Sequence, residues 1–261
     1  MSTKGTALIT GASTGIGAVY ADRLAKRGYD LILVARNLQR LRDVAGRLGE
    51  TGVAIETLQA DLTDKQDLAK VEKRLAEDEA ITLLVNNAGM AVAGTMLNGD
   101  MDKYEQMIQL NVVAPTRLAK AAAVAFAGRR AGTIVNVGSI TALTPERFNA
   151  VYSGTKAFIL NLTQSLGAEL APHGVTVQAV LPGATRTEIW ERAGHDINAL
   201  PPEIVMDVDE MVDAAVKGLD LGEAITIPAL PDIAQWNAMQ AARHAMGPNL
   251  SLKNAASRYK T

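Results

Sequence analysis

Thr6-Ala-Leu-Ile-Thr10-Gly-Ala-Ser-Thr-Gly-Ile-Gly17 decides the fold of this chain. Thr6–Thr10 is a short, β-rich apolar run, and a helical pattern follows from Ile16 to Arg27. A strand that enters a helix this abruptly needs a tight turn, and each glycine has a physical reason to be there. Gly11 allows the turn, Gly15 lets backbone approach a bound group, and Gly17 lets the helix pack close to the strand. The helix N-terminus then offers unpaired N–H groups and the positive end of a dipole, an arrangement that holds phosphates. Ser13 and Thr14 add hydroxyls to the same turn, next to Ile16. The spacing Gly-x-x-x-Gly-x-Gly carries one residue more between its first two glycines than Gly-x-Gly-x-x-Gly. Three glycines in a strand–helix connection also serve plain turn chemistry, so the turn alone only admits a dinucleotide.

Working outward, strand-like and helix-like segments alternate with little linker. Strand-like runs lie at Thr6–Thr10, Asp30–Ala35, Ala54–Ala60, Ile81–Asn86, Thr133–Gly138, Val175–Leu181 and Ala224–Pro228. Helical patterns lie at Ile16–Arg27, Leu38–Leu48, Lys65–Glu77, Met101–Ala127, Ala150–Leu170 and Asp209–Leu219. Leu31-Ile-Leu-Val34 and Leu83-Leu-Val85 are apolar throughout, as strands covered on both faces must be. The pattern predicts an α/β fold: a three-layer, doubly wound parallel sheet of seven strands. Nothing reads as a domain linker, so 1–261 is expected to form one domain. The irregular stretch at about 184–206 leaves the sheet at its ligand-binding edge and is expected to be a substrate loop or an ordinary surface loop.

Bulk composition narrows the function classes. Hydrophobic residues are 48% of the chain and aromatic ones only 4%, which suits aliphatic helices on a parallel sheet. A net charge of −2 gives no electrostatic reason to bind nucleic acid or an anionic membrane. There is no cysteine, so disulfides and thiolate catalysis are excluded. His173, His195 and His244 lack metal-ligand spacing, and no metal site is expected. The longest apolar run, Ala119–Ala127, falls short of the roughly 18 residues of a membrane span. A strand starting near Thr6 leaves no room for a cleaved signal, so a cytoplasmic location is expected.

Further polar residues stand where ligands meet such a sheet. Arg36-Asn37 closes the second strand, and no acidic residue lies between Leu31 and Arg40. An acidic residue there would accept the ribose hydroxyls of NAD; a basic one favours the 2′-phosphate of NADP. Asp61-Leu62 follows the third strand, where the carboxylate reaches an adenine amino group or caps the next helix. Asn86-Asn87-Ala88-Gly89 ends the fourth strand with residues small enough to pass a ribose, though by itself it is simply a good turn. Ser139 lies just beyond the fifth strand. Tyr152 and Lys156 are four apart and share one helical face, where an ammonium is expected to lower the phenol pKa toward a value useful for proton transfer. An isolated pair of this kind reads as an exposed helix face; Ser139 and the glycine turn tip the balance toward a reacting pair. Asn111 falls inside a helical stretch, and Pro115 has no N–H to offer its carbonyl, so a broken helix is expected there. Ile189 and Trp190 are expected in a substrate wall.

Taken together, these segments resemble the short-chain dehydrogenase/reductase family in its compact single-domain branch. The resemblance covers Thr6 to about Thr187 and adds Pro182-Gly183, Thr185 and Thr187 to the motifs above. It implies a Rossmann-type sheet, NAD(P) binding, carbonyl–alcohol interconversion and homo-oligomers, usually dimers or tetramers. Within it, Tyr152 is the general acid or base, Lys156 its partner and a ribose contact, and Ser139 holds the substrate oxygen. Asn111 positions a water that relays protons to the lysine, Arg36 goes with NADP, and Pro182, Gly183, Thr185 and Thr187 hold the nicotinamide carboxamide. The expected function is an NADPH-dependent oxidoreductase for a carbonyl or alcohol, with NAD the less favoured cofactor. The competing reading is an NADP(H)-binding regulatory or sensor protein, which has no physical need for all four of Asn111, Ser139, Tyr152 and Lys156.

Replacing Arg36 by Ala or Asp is expected to weaken NADP binding about tenfold, the lower end of what a charge-assisted contact contributes, and to spare NAD. Titration calorimetry with both cofactors checks this; equal losses would remove the 2′-phosphate assignment.

Overall fold

The computed structural model describes residues 4–260. Seven parallel strands form one sheet: β1 (Thr6–Thr10), β2 (Asp30–Ala35), β3 (Ile55–Gln59), β4 (Ile81–Asn86), β5 (Gly132–Val137), β6 (Val175–Val180) and, last in the chain, β9 (Ile225–Thr226). Their spatial order is β3-β2-β1-β4-β5-β6-β9, and the short strands β7 (Ala184–Thr185) and β8 (Val205–Met206) pair apart from it. The helices are α1 (Gly15–Lys26), α2 (Leu38–Leu48), α3 (Lys65–Glu77), α4 (Met101–Ile108), α5 (Ala114–Arg129), α6 (Ala150–Leu170), α7 (Ile189–Arg192), α8 (Val208–Asp220) and α9 (Ile233–Met246). This is the doubly wound Rossmann-type architecture.

Alternation along each strand makes the three layers. In β1 and β2, Ala7, Ile9, Leu31 and Leu33 pack with Tyr20, Leu24, Leu41, Val44, Met211 and Val212 of α1, α2 and α8. Leu8, Ile32 and Val34 point the other way, into Leu68, Val71, Leu118 and Phe126 of α3 and α5. Period-two side chains on a two-sided sheet require this division. All of Leu31–Val34 is at most 2% exposed, which explains the unbroken apolar run.

Sheet order reverses between β1 and β4, and that switch point is where such sheets bind ligands. Here the two strand ends are stitched together. Thr10 Oγ1 accepts from the N–H groups of Asn87 and Ala88, both at 3.0 Å. Asn87 Nδ2 donates to the carbonyls of Thr10 at 2.9 Å and Gly11 at 3.3 Å. Deeper in the sheet, Asn86 Nδ2 donates to Asn136 Oδ1 at 3.0 Å, and Asn136 Nδ2 donates to Thr163 Oγ1 on α6, also at 3.0 Å.

The single helix expected over Met101–Ala127 is α4 and α5 joined by a π turn, Gln109–Val113. The Ala114 N–H bonds back to the Gln109 carbonyl, five residues away. Pro115 cannot close the ordinary four-residue ring to Asn111, and widening the helix by one residue accommodates that gap. The expected break is therefore a local widening, with helix on both sides.

The described residues fall into two compact units, one ending at Pro228 and one beginning at Ala229. The second holds α9 and two short turns, Gly247–Asn249 and Ser257–Tyr259. No helix among the described residues is long and apolar enough to cross a membrane.

Gly17 brings α1 close to the strand ends: a Cβ there would meet the Gly11 carbonyl oxygen at 2.4 Å and Asn87 Nδ2 at 2.5 Å, inside the stitched turn. Gly17→Ala is expected to cost about 1–3 kcal/mol by overpacking, several degrees in Tm. Gly46, exposed in α2 with nothing within 4 Å of a Cβ, gives the opposite result. Gly46→Ala should stabilise by about 0.5–1 kcal/mol, since only helix propensity changes. Calorimetric melting of the two variants compares them directly.

Candidate active site

The C-terminal ends of the sheet strands open into a cleft of about 620 Å³. At one end the turn residues Gly11, Ser13, Thr14, Gly15 and Ile16 line it, as the N-terminus of α1 requires. Gly11 sits at φ +66° and lies so close to Asn87 and Ala88 that any side chain would collide with them. The turn is left open as a cradle of N–H groups. Asn87, Ala88 and Gly89 form the opposite wall.

Arg36 and Asn37 lie at the mouth of the same end. Asn37 caps α2, its Oδ1 accepting from the Arg40 N–H at 3.0 Å. Arg36 is largely exposed, with Nη1 4.0 Å from Asp61 Oδ2. Asp61 is turned toward its own loop: Oδ1 accepts from the N–H of Thr63 at 2.9 Å and from its hydroxyl at 2.7 Å, and Leu62 lines the wall beside it. Arg40 is a second cation at this mouth that reasoning from sequence did not single out. It donates to Glu188 at 2.7 Å, and Arg40, with Arg192 beside it, holds the Glu188 carboxyl below its ordinary range. The signal was present: Arg40 stands four residues after Arg36, within the first turn of α2. Two arginines with an anion-binding turn suit a phosphorylated dinucleotide.

At the inner end, Ser139, Tyr152 and Lys156 line the cleft together. Ser139 follows β5 and caps a short turn, its Oγ accepting from the Thr141 N–H at 3.2 Å. Tyr152 occupies the first turn of α6, and the nearby Ser139 hydroxyl favours its phenolate form. Lys156, one turn on, donates from Nζ to the Val137 carbonyl at 3.1 Å, and Nζ lies 5.7 Å from the Tyr152 ring centre.

The charge balance of this cluster corrects the expectation from spacing. Removal from water pushes the Tyr152 phenol up to about 12, against a smaller lowering by Ser139. The same desolvation brings Lys156 down to about 8. Each group loses more hydration than its neighbours return, so burial disfavours both charged forms. In the protein without ligands the ammonium does not depress the phenol. A phenol, a hydroxyl and an amine in this arrangement can hand a proton to one oxygen and share the charge left behind.

Asn111 does not line the cleft. Buried in the π turn, its Oδ1 accepts from the Met90 N–H at 2.9 Å, while Nδ2 donates to the Met90 carbonyl at 2.8 Å and to Thr155 Oγ1 at 3.3 Å. Its side chain grips the segment after Gly89. Gly17 and Gly183 also lie outside the lining, whereas Pro182, Thr185, Thr187, Ile189 and Trp190 are within it. Trp190 Nε1 donates to the Thr185 carbonyl at 2.9 Å, which fixes the indole. Phe148 is a residue that reasoning from sequence missed. Its ring stands edge-on to Tyr152 at 5.1 Å and to Trp190 at 6.4 Å, and it lies 6.0 Å from the His195 ring. A rare phenylalanine four residues before the tyrosine was the available hint. No metal-binding cluster occurs among the described residues.

This fold, with this cluster beyond β5 in the same cleft as the glycine turn, defines a class, and comparison with known proteins gives it a family. The short chain dehydrogenase family model matches residues 5–198. The chain belongs to the short-chain dehydrogenase/reductase family, whose members are oxidoreductases that interconvert carbonyls and alcohols. It is similar to a short-chain dehydrogenase from Sphingobium yanoikuyae in complex with NADPH: 52% identity, 98% of this chain and 100% of that one, TM-score 0.95. It is also similar to a bulky-bulky ketone specific alcohol dehydrogenase from Comamonas testosteroni, at 47% identity, 98% and 99% coverage and TM-score 0.91. An uncharacterised oxidoreductase of Staphylococcus saprophyticus is 34% identical over 185 residues, 70% of this chain and 79% of that one.

In the ligand-free protein, the Lys156 side chain is expected to titrate with a midpoint near pH 8. NMR of the lysine Cε signal, assigned with Lys156→Met, checks it. A midpoint at the ordinary 10.5 would mean that water reaches the amine.

Proposed function

We propose that the protein is an NADPH-dependent reductase of ketones, running as an alcohol dehydrogenase in reverse, with Tyr152 as its general acid. The convergence of Ser139, Tyr152 and Lys156 at the inner end of a cleft whose other end suits a phosphorylated dinucleotide carries this reading.

The residues fit the cofactor. Gly11, Gly15 and the N-terminus of α1 leave room and N–H groups for a pyrophosphate; Arg36 and Arg40 would hold the 2′-phosphate. Bound NADPH supplies the hydride. Ser139 holds the substrate oxygen, and Tyr152 Oη gives it a proton as the alcohol forms. The phenolate that remains lies beside Ser139 and Lys156. Lys156 is mostly protonated at pH 7, because its pKa is near 8. The appearing negative charge strengthens its hold on the proton. A phenol pushed up to about 12 stays protonated through the physiological range, which suits the reductive direction.

The Comamonas relative's bulky-ketone specificity and the wall of Ile189 and Trp190, backed by Phe148, support a bulky ketone as substrate. The loop at 184–206 is the substrate wall, and the enzyme acts as a homodimer or homotetramer in the cytoplasm.

NADPH oxidation at 340 nm against diketones, quinones, oxosteroids and acyl ketones tests the reading. Tyr152→Phe should lower kcat about 10²- to 10⁴-fold with NADPH affinity kept. Tight NADPH binding without turnover of any carbonyl would instead make this a cofactor-binding regulatory protein.

A further inference from the structure

We propose that Asn149 is a positioning residue for the reaction, its side-chain amide holding the turn that carries Tyr152 in register with the substrate-facing segment Met90–Gly94. The proposal rests on the reading of Tyr152 as the general acid.

Tyr152 is the third residue of α6, in a first turn whose N–H groups lack helical partners. Helix ends of this kind fray unless they are capped. Asn149 Oδ1 accepts from the N–H of Val151 at 2.9 Å and from that of Tyr152 itself at 3.1 Å. The cap therefore reaches the backbone of the reacting residue directly.

The other end of the amide does a different job. Asn149 Nδ2 donates to the Gly94 carbonyl at 2.6 Å and to Tyr104 Oη at 2.8 Å. The Tyr104 hydroxyl in turn donates to the Thr95 carbonyl at 3.0 Å, and its ring is 1% exposed. Gly99 lies against that ring so closely that no side chain would fit there. The loop after β4 is thus wrapped on Tyr104 and pinned by Asn149 at Gly94. Its near end is pinned by Asn111, which grips both polar groups of Met90. Between the two asparagines lie Met90 and Ala91, both in the cleft lining, and buried Val92. Val92, Tyr104 and Met107 pack with Met90, Val151 and Tyr152 as one apolar cluster.

A plain N-cap needs only an oxygen, and Ser, Thr or Asp would serve. An amide is required only if both the helix turn and the loop must be held. Gly94 and Thr95 are exposed, so water can replace the donors to their carbonyls at little cost in stability. Loss of the tie should therefore appear in catalysis more than in folding, through misplacement of the phenol against the substrate oxygen.

Asn149→Ser separates the two jobs, since serine keeps a cap oxygen and loses the amide N–H groups that hold Gly94 and Tyr104. The expected result is a kcat lower by about ten- to a hundredfold, with NADPH affinity within about twofold and Tm within a few degrees. The KM for the ketone should move far less than kcat, because a misplaced phenol weakens the transition state and not ground-state binding. Tyr104→Phe, which keeps the ring and removes the hydroxyl, should lower kcat in the same sense and serves if the first variant folds poorly. Wild-type kcat in both variants would overturn the proposal, as would a loss of activity in Asn149→Ser that only parallels lost stability and NADPH binding. Tyr152→Phe is run alongside. Retained turnover in that variant would sink the general-acid reading itself, whereas its inactivity beside wild-type kcat in both Asn149→Ser and Tyr104→Phe would sink the positioning role alone.

Discussion

Partial removal of the Ser139–Tyr152–Lys156 cluster from water is the constraint on which the rest of the site depends. Lys156 and Ser139 are 7% and 8% exposed, and the amine has one carbonyl as its fixed partner. In that setting neither the ammonium nor the phenolate is comfortable before substrate arrives. If Tyr152 protonates a substrate oxygen as proposed, the proton moves between groups that have already lost much of their hydration. Charge that develops there interacts more strongly than it would in water.

That dryness has to be built, and the surrounding hydrogen bonds build it. Asn86 and Asn136 link β4, β5 and α6 by buried side-chain hydrogen bonds, while Thr10 and Asn87 lock the ends of β1 and β4 together. The close approach of Gly11 to Asn87 and Ala88 keeps a side chain out of the turn at the α1 end of the cleft. Stability and function draw on one feature here: the turn that completes the sheet edge is also the turn that admits an anion.

Much of this was legible in the sequence, because it rests on local rules. Strand periodicity leads to the sheet, and the glycine turn, Ser139, Tyr152 and Lys156 meet in one cleft, with Asn111 behind its wall. Pro115 announced a disturbance at Asn111, although a missing N–H alone does not say whether a helix breaks or widens. The sign of the phenol shift was not legible. Spacing puts Lys156 near Tyr152, but the balance between attraction and desolvation depends on how much water the whole fold removes. Phe148, Arg40 and Asn149 stayed hidden for a related reason. Each acts through contacts with elements far along the chain: Trp190 in α7, Glu188 at its start, and the loop after β4.

Ionisation of Tyr152 tests the central claim most directly. The measurement is the tyrosinate absorbance near 295 nm as pH rises, taken as the difference between the ligand-free wild type and Tyr152→Phe. With its phenol pushed up to about 12, Tyr152 should contribute no signal below about pH 10. A tyrosinate specific to Tyr152 that appears near neutral pH would contradict the account, because it would mean that the Lys156 charge, and not desolvation, governs the site.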